Sequence, residues 1–423
     1  FSGVSTDTRH LTPGTLFVAL KGDRFDAHDF LSRAKATGAA AAVVRRGTPP
    51  VAGLPAFEVA DTLVALGLLA RARRRLLPVG APVVAVTGSS GKTSTKEMIR
   101  AALATRWRVH ATEGNLNNLV GVPLTILNAP EDTEALVVEA GASVPGEIAR
   151  LRDIIEPTIA VITNVGYAHV EGFGSLEGVM REKLSLLEGV PAAVVGPGPE
   201  GMLDAARQMT EAWISKQLAD DAMLDACLDD EGRPSLRLEG GGAVSLPVLG
   251  IHQLENALIA LAVADRVGVD HNAAARALVD VRLPAGRGEL RRVGGLMVID
   301  DTYNANPTSL GRAVQFAHWL ARKKGHPLAV VVGTMLELGP ESARLHAEAA
   351  REIVAREPAL VAAVGDFVGA FAPHRHALGS RLITAPDAEA LGPRLKAALR
   401  GNEIVLLKAS RGVALERVLR HLS

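Results

Sequence analysis

The chain reads as an α/β protein of three units: a small N-terminal α/β unit, a central mostly parallel-sheet unit built on a phosphate loop, and a C-terminal Rossmann-like α/β unit. Three observations predict this. The 423 residues exceed what one hydrophobic core ordinarily serves. Short apolar runs alternate with helix-forming stretches, the pattern of a parallel sheet covered on both faces. Two breaker clusters, Pro78-Val79-Gly80-Ala81-Pro82 and Pro284-Ala285-Gly286-Arg287-Gly288, interrupt that alternation. The expected units are 1–79, 80–284 and 285–423.

In the first unit, 16–20 and 41–44 read as strands and 30–37 as a helix, and 61–77 is an Ala/Leu/Arg helix. In the second, apolar strands fall at 83–87, 135–139, 158–163 and 192–195, with helices following Lys92, Pro145, Leu176 and Gly201. Gly240-Gly241-Gly242 marks a hairpin-like turn, and 252–267 is a strongly apolar helix. In the third, strands are expected at 296–300, 328–332, 360–364 and 404–407, and helices at 307–323, 341–356, 386–399 and 414–422.

Composition excludes several classes. Lys+Arg equals Asp+Glu at 46 each, so no general attraction to nucleic acid or anionic lipid is expected. Aromatics are only 3%, too few for a base-stacking platform. No apolar run is long enough to span a membrane. The lone Cys227 rules out an internal disulfide framework and suits a reducing, cytoplasmic setting. A monomer is expected.

The most informative stretch is Val83-Val84-Ala85-Val86-Thr87-Gly88-Ser89-Ser90-Gly91-Lys92-Thr93-Ser94. A strand feeds a Gly/Ser loop that opens a helix, so main-chain N–H groups and the positive helix end face an anion. Lys92 can reach the terminal phosphates, and the Thr93 hydroxyl can ligate Mg²⁺. The spacing is compressed relative to the usual phosphate loop, since Val86 stands where the first glycine would be. The reading is an ATP or GTP site; a plain Gly/Ser turn is the alternative.

Other polar residues gather at strand ends, where ligands collect in open α/β sheets. Glu139 closes an apolar strand and precedes Ala140-Gly141-Ala142, a fitting place for a Mg²⁺ ligand. His169 lies in the Gly-rich loop after the 158–163 strand, equally readable as a ligand or a surface histidine. Lys183, by its own sequence, reads as a lysine on a solvated helix face. Asn115, Asn117 and Asn118 suit peptide or sugar recognition, and equally a turn. Asp300-Asp301-Thr302-Tyr303-Asn304-Ala305-Asn306-Pro307 offers paired carboxylates, with Asn306 as a helix cap and Pro307 at the first helical position. Lys408-Ala409-Ser410-Arg411 follows a strand and offers cations and a hydroxyl to an anion, or a basic turn to solvent.

These segments together resemble the Mur ligases, ATP-dependent amide-forming enzymes of peptidoglycan synthesis, over nearly the whole chain. The resemblance is carried by Thr87-Gly88-Ser89-Ser90-Gly91-Lys92-Thr93, by Glu113-Gly114-Asn115-Leu116-Asn117-Asn118 with Gly121-Val122-Pro123, and by Gly172-Phe173-Gly174-Ser175. Asp301-Thr302-Tyr303-Asn304-Ala305-Asn306-Pro307 and Met335-Leu336-Glu337-Leu338-Gly339 are similar to the members that add D-alanyl-D-alanine. The resemblance implies ATP and two Mg²⁺ ions, with Thr93 and Glu139 holding one ion and His169 helping with a second. It implies that Lys183 is carried as a CO₂-derived carbamate. It gives Asn256 an adenine contact, Arg287 a hinge position near the phosphates and Asp301 a ribose contact. Thr8, Arg9 and Lys21 would grip the UDP end of UDP-MurNAc-tripeptide. Asn115, Asn117, Asn118, Tyr303, Asn304, Asn306, Ser410 and Arg411 would serve the tripeptide and the D-alanyl-D-alanine dipeptide. Lys92, His169 and Lys183 would be the catalytic set. Three positions depart from the family pattern: Thr8, Ala27 and, beside the expected dipeptide pocket, Thr334 in place of an acid. Other readings are a different Mur or folylpolyglutamate-type ligase, and a non-catalytic nucleotide-binding module.

Overall fold

The computed structural model describes residues 1–22, 25–214 and 227–422. The first sheet has four parallel strands in the order β1 (Val4–Ser5), β2 (Leu16–Val18), β3 (Ala41–Arg45), β4 (Ala56–Val59). The 16–20 strand stops at Val18 because the Leu20 carbonyl accepts the Ala27 N–H and turns the chain away. Asp61 caps the helix Thr62–Arg74 by accepting from the Leu63 and Val64 amides. That helix ends before residue 77, where Leu76 and Leu77 bond to carbonyls three residues back.

This unit is fastened to the next. Arg71 and Arg75 both bond to the Glu156 carboxylate, at 2.7 and 2.5 Å, and Arg74 donates to the Glu156 carbonyl at 2.7 Å. The Arg75 hydrogen bond, with Arg71, holds the Glu156 carboxyl down at about 2. Asn128 accepts the Val4 N–H at 2.9 Å and donates to the Val4 carbonyl at 3.0 Å.

The second sheet comprises β5 (Val83–Thr87), β6 (Val109–Ala111), β7 (Ala135–Glu139), β8 (Ile159–Ile162), β9 (Ala192–Val195) and β10 (Glu211–Ile214), all parallel, in the order 10-9-8-5-7-6. Its alternating side chains enter two cores. Val84, Val86, Val137 and Val161 face the helices Lys92–Leu103 and Ile251–Arg266. Ala85, Leu136, Val138 and Ile162 face Ile148, Leu151 and Val179. The order reverses about β5, which opens a crevice at the carboxyl ends of β5, β7 and β8. The hairpin β11 (Ser235–Arg237) and β12 (Ala243–Ser245) turns through Gly240, Gly241 and Gly242, as the glycine run predicts.

The third sheet has β13 (Glu289–Val293), β14 (Leu296–Asp300), β15 (Leu328–Val332), β16 (Leu360–Val364), β17 (Leu382–Ala385) and β18 (Ile404–Lys408), in the order 13-14-18-15-16-17. Only the β13–β14 pair is antiparallel. The expected helix 414–422 is broken: Ala414 has φ +53°, followed by a 3₁₀ segment Leu415–Val418 and a single turn Leu419–Leu422. Helix Pro307–Lys324 packs Leu310, Val314 and Phe316 into the same core as Ile251–Arg266, so the second and third units share apolar contact.

Candidate active site

The phosphate loop is shaped by what surrounds it. Gly88 has φ +146°, and a Cβ there would fall 2.0 Å from Thr163 Oγ1, so only glycine fits. Ser89 N–H donates to the Asn164 carbonyl at 2.9 Å, and Ser90 N–H donates to Asn164 Oδ1 at 3.1 Å. Gly91, at φ +77°, precedes the helix Lys92–Leu103 and lies against Asn256, whose Oδ1 would be 2.8 Å from an added Cβ. Thr95 Oγ1 donates to the same Asn256 Oδ1 at 3.1 Å. The first-turn amides, from Lys92, Thr93 and Ser94, have no carbonyl one turn earlier to bond and present an anion-binding end. Lys92 Nζ folds back onto the Gly88 carbonyl at 2.7 Å. Desolvation draws its pKa below the usual lysine value, against the pull of Glu139.

Glu139, at the end of β7, is buried, not solvent-facing. Thr93 Oγ1 donates to its Oε2 and Asn117 Nδ2 to its Oε1, both at 2.8 Å. Its own N–H donates to Thr112 Oγ1 at 2.9 Å. A hydroxyl and a carboxylate are hard oxygen donors and suit Mg²⁺. Among the described residues no three His, Cys, Asp or Glu side chains converge on one point. Mg²⁺ takes one or two protein oxygens and completes its shell with water and phosphate.

His169 is partly buried, its side chain 23% exposed. Held at φ +54°, it places Nδ1 2.6 Å from Glu337 Oε2 of the third unit, without the alignment of a hydrogen bond. The His169 ring holds Glu337 below the usual carboxylate range. The solvated-face reading of Lys183 fails: it is 1% exposed, with Nζ 5.7 Å from the Phe173 ring centroid and no hydrogen-bond partner among the described residues. Burial, with Lys92 adding, pushes its amine down to about 7. Lys183 is not among the residues lining the cavity described next.

A cavity of about 660 Å³ runs between the second and third units. It is lined by the loop residues Ser89 to Ser94, by Asn115, Asn117, Asn118, Glu139 and His169, and by Asn256, Arg287, Asp301, Tyr303, Asn304, Asn306, Ser410 and Arg411. The structure thus brings together expected residues from both units. The paired-carboxylate reading is corrected: Asp300 turns to Arg291 (3.2 Å) and Thr302, while Asp301 Oδ2 takes Lys408 Nζ at 2.5 Å. Burial pushes Asp301 up, with Lys408 opposing. Lys408 is therefore spent within the protein. Ser410 Oγ bridges the Ala305 carbonyl and the Leu336 N–H, and exposed Arg411 pairs with Glu416 at 3.1 Å. Arg287 stacks on Tyr303, its guanidinium carbon 3.9 Å from the ring centroid. Asn306 both caps the helix Pro307–Lys324 and reaches the phosphate loop. Asn118 is a turn former, accepting the Val120 and Gly121 amides.

Thr8, Arg9 and Lys21 lie in the first unit and do not line this cavity. Arg9 is exposed and forks onto Asp7, which it holds at about 2. Thr334 does not line it either; its Oγ1 accepts the Asp366 N–H at 2.9 Å at the start of the helix Asp366–Ala370. Sequence reasoning missed Asn164, Glu337 and His252. Asn164 follows β8 at the expected rim, which was a usable signal. His252 is pushed down to about 3 by burial, with Arg312 and Lys408 adding, which only the fold reveals.

Residues 86–264 match the Mur ligase middle domain, 286–411 match "Mur ligase, glutamate ligase domain", and 1–74 match "Mur ligase family, catalytic domain". The UDP-N-acetylmuramoyl-tripeptide–D-alanyl-D-alanine ligase of Bacillus subtilis is 36% identical over 99% of this chain and 93% of its own. That of Escherichia coli is 37% identical with the same coverage of both. A crystal structure of MurF from Acinetobacter baumannii superposes with a TM-score of 0.87 at 30% identity, covering 99% of this chain and 92% of that one. MurF ligase from Thermotoga maritima in complex with ADP gives 0.84 at 29% identity, covering 99% and 96%.

Proposed function

The chain belongs to the Mur ligase family, and from that premise we propose that it is an ATP-dependent, ADP-forming carboxylate–amine ligase that adds D-alanyl-D-alanine to UDP-MurNAc-tripeptide. This is the last cytoplasmic step in making the peptidoglycan precursor. The observation that carries it is the single cavity in which the phosphate loop and Glu139 of one unit face Asp301, Tyr303 and Arg287 of the next.

In the first half-reaction a tripeptide carboxylate oxygen attacks the γ-phosphorus of ATP. The bond to the β-phosphate oxygen breaks, leaving an acyl phosphate and ADP. In the second, the dipeptide amine attacks the acyl carbon, loses a proton, and inorganic phosphate departs. The protein's work is positioning and charge neutralisation. Lys92 leaves the Gly88 carbonyl for the phosphates, and the first-turn amides receive their oxygens. Thr93 and Glu139 would hold Mg²⁺, whose charge would neutralise that of the phosphates. A second Mg²⁺ would take His169 and a carbamate on Lys183. A depressed lysine favours the neutral amine that carbamate formation needs, which supports that assignment. Asn256 contacts adenine, Asp301 the ribose, and Arg287 the phosphates from the hinge. Thr8, Arg9 and Lys21 grip the UDP end; Asn115, Asn117, Asn118, Tyr303, Asn304, Asn306, Ser410 and Arg411 serve the peptide substrates.

The units are proposed as 1–79, 80–284 and 285–423, acting as a cytoplasmic monomer. Among the described residues no helix is long and apolar enough to cross a membrane. The deciding test is phosphate release from ATP with UDP-MurNAc-tripeptide, with and without D-alanyl-D-alanine. Release that depends on both is expected. Release with another amine in an acceptor panel identifies a different ligase, and ATP binding with no substrate-dependent release identifies a binding module.

A further inference from the structure

A buried histidine sets the strap, residues 335–339, that reaches from the third sheet to the His169 loop. Met335 N–H donates to His346 Nε2 at 2.9 Å. His346 Nδ1 lies 2.7 Å from the Ser342 carbonyl, one turn back on the helix Ser342–Ala355. An amide N–H only donates and a carbonyl only accepts, so one ring state satisfies both: neutral, with its proton on Nδ1. The ring is 1% exposed and meets Phe367 edge-on, centroids 4.8 Å apart.

From Met335 the contacts run onward. Leu336 N–H donates to Ser410 Oγ at 2.9 Å. The Glu337 carbonyl accepts the Glu171 N–H at 3.1 Å, and Glu337 itself sits at φ +63° with its carboxylate on His169. Gly339, at φ +55°, lies so close that an added Cβ would be 3.0 Å from Glu171 Cα. Leu336 and Glu337 form part of the cavity wall.

We propose that His346 is a positioning residue for the ligase reaction: its neutral ring fixes the strap in the shape that carries Glu337 to His169 on the cavity wall. The kinetic consequence rests on the ligase reading; the lock itself does not. Three elements face the ring. The strap offers the Met335 N–H, its own helix offers Ser342, and the helix Asp366–Ala370 offers Phe367 and the Asp366 carboxylate, which Ser342 Oγ reaches at 3.3 Å. Asp366 favours the charged ring, but burial outweighs it and holds the histidine below its ordinary 6.5. Protonation converts Nε2 from acceptor to donor, facing another donor. The lock is therefore intact above the lowered pKa and opens as pH falls through it.

The first measurement uses ligand-free protein with ¹⁵N-labelled histidine rings. The ring signal lost in His346→Gln should show protonated Nδ1 and bare Nε2 at pH 7.5; a charged ring or the opposite tautomer there overturns the proposal. The second is the pH profile of substrate-dependent phosphate release. Gln retains a carbonyl acceptor and cannot charge, so His346→Gln should keep kcat/KM near neutrality within about threefold and shift the acid limb downward. His346→Leu should lose about tenfold at every pH. Should the Leu variant not fold, Gln and the ring signals still decide. Identical acid limbs in wild type and Gln overturn the idea. A wild type that releases no phosphate sinks the ligase reading, while the ring measurement continues to judge the lock.

Discussion

Asn306 Nδ2 donates to the main-chain oxygen of Ser89 at 3.1 Å, tying the third unit to the phosphate loop across 217 positions of sequence. The same side chain accepts the Ser309 N–H at 2.8 Å and so caps the helix Pro307–Lys324. The two roles can be separated. Asn306→Asp retains the cap acceptor and loses the cross-unit donor, so the melting temperature should hardly move while kcat/KM for phosphate release falls about tenfold. Asn306→Ala loses both and should cost a further ~1 kcal/mol of stability. Calorimetry beside the kinetic assay checks this, and a fully active Asp variant would show that the bridge is idle.

Lys92→Ala should abolish ATP turnover, by about a thousandfold or more, with the fold intact. Its ammonium bonds only a loop carbonyl among the described residues, so no buried partner is orphaned in the core. Circular dichroism and ADP production together test the claim. Normal ADP output would remove the assignment.

Lys183 yields a pH dependence. Its pKa is lowered to about 7, so the neutral amine grows as pH rises through that value. Carbon dioxide uptake needs the neutral form, and reactivation of CO₂-depleted protein by bicarbonate should climb across pH 7. Lys183→Ala should lose about a hundredfold in activity and regain part of it with added short carboxylates. Full activity without rescue would end the carbamate assignment.

Asp301→Asn should be costly to the fold. Lys408 is 2% exposed and Asp301 is its carboxylate partner. Leaving that ammonium unpaired should reduce unfolding free energy by ~3 kcal/mol, read from urea titration. The double variant Asp301→Asn, Lys408→Met should recover most of the loss while ATP binding stays weak. A single variant as stable as wild type would mean that the pair is not coupled.

Much of this architecture was legible in the chain. The strands Val83–Thr87, Ala135–Glu139 and Leu328–Val332 are apolar runs that cannot sit anywhere but a covered sheet, and they lie where the pattern places them. Strands β4 and β13 were not foreseen: Ala56–Val59 and Glu289–Val293 are sheet edges whose exposed residues dilute the apolar signal. The phosphate loop announces itself because its chemistry is local. Lys183 does not, because its burial depends on neighbours such as Phe173 and on helices packed around it. Likewise Asp300 and Asp301 look alike in sequence, and only the side on which Arg291 or Lys408 stands separates them.

The bonds from Arg71, Arg74 and Arg75 to Glu156, together with the double grip of Asn128 on Val4, clamp the first sheet to the second. The third sheet meets the second through the apolar core shared by the helices Ile251–Arg266 and Pro307–Lys324, and around the cavity through Ser89–Asn306 and His169–Glu337. The two seams thus differ in kind, one charged and part-exposed and the other apolar and buried, so added salt would be felt at the first and hardly at the second.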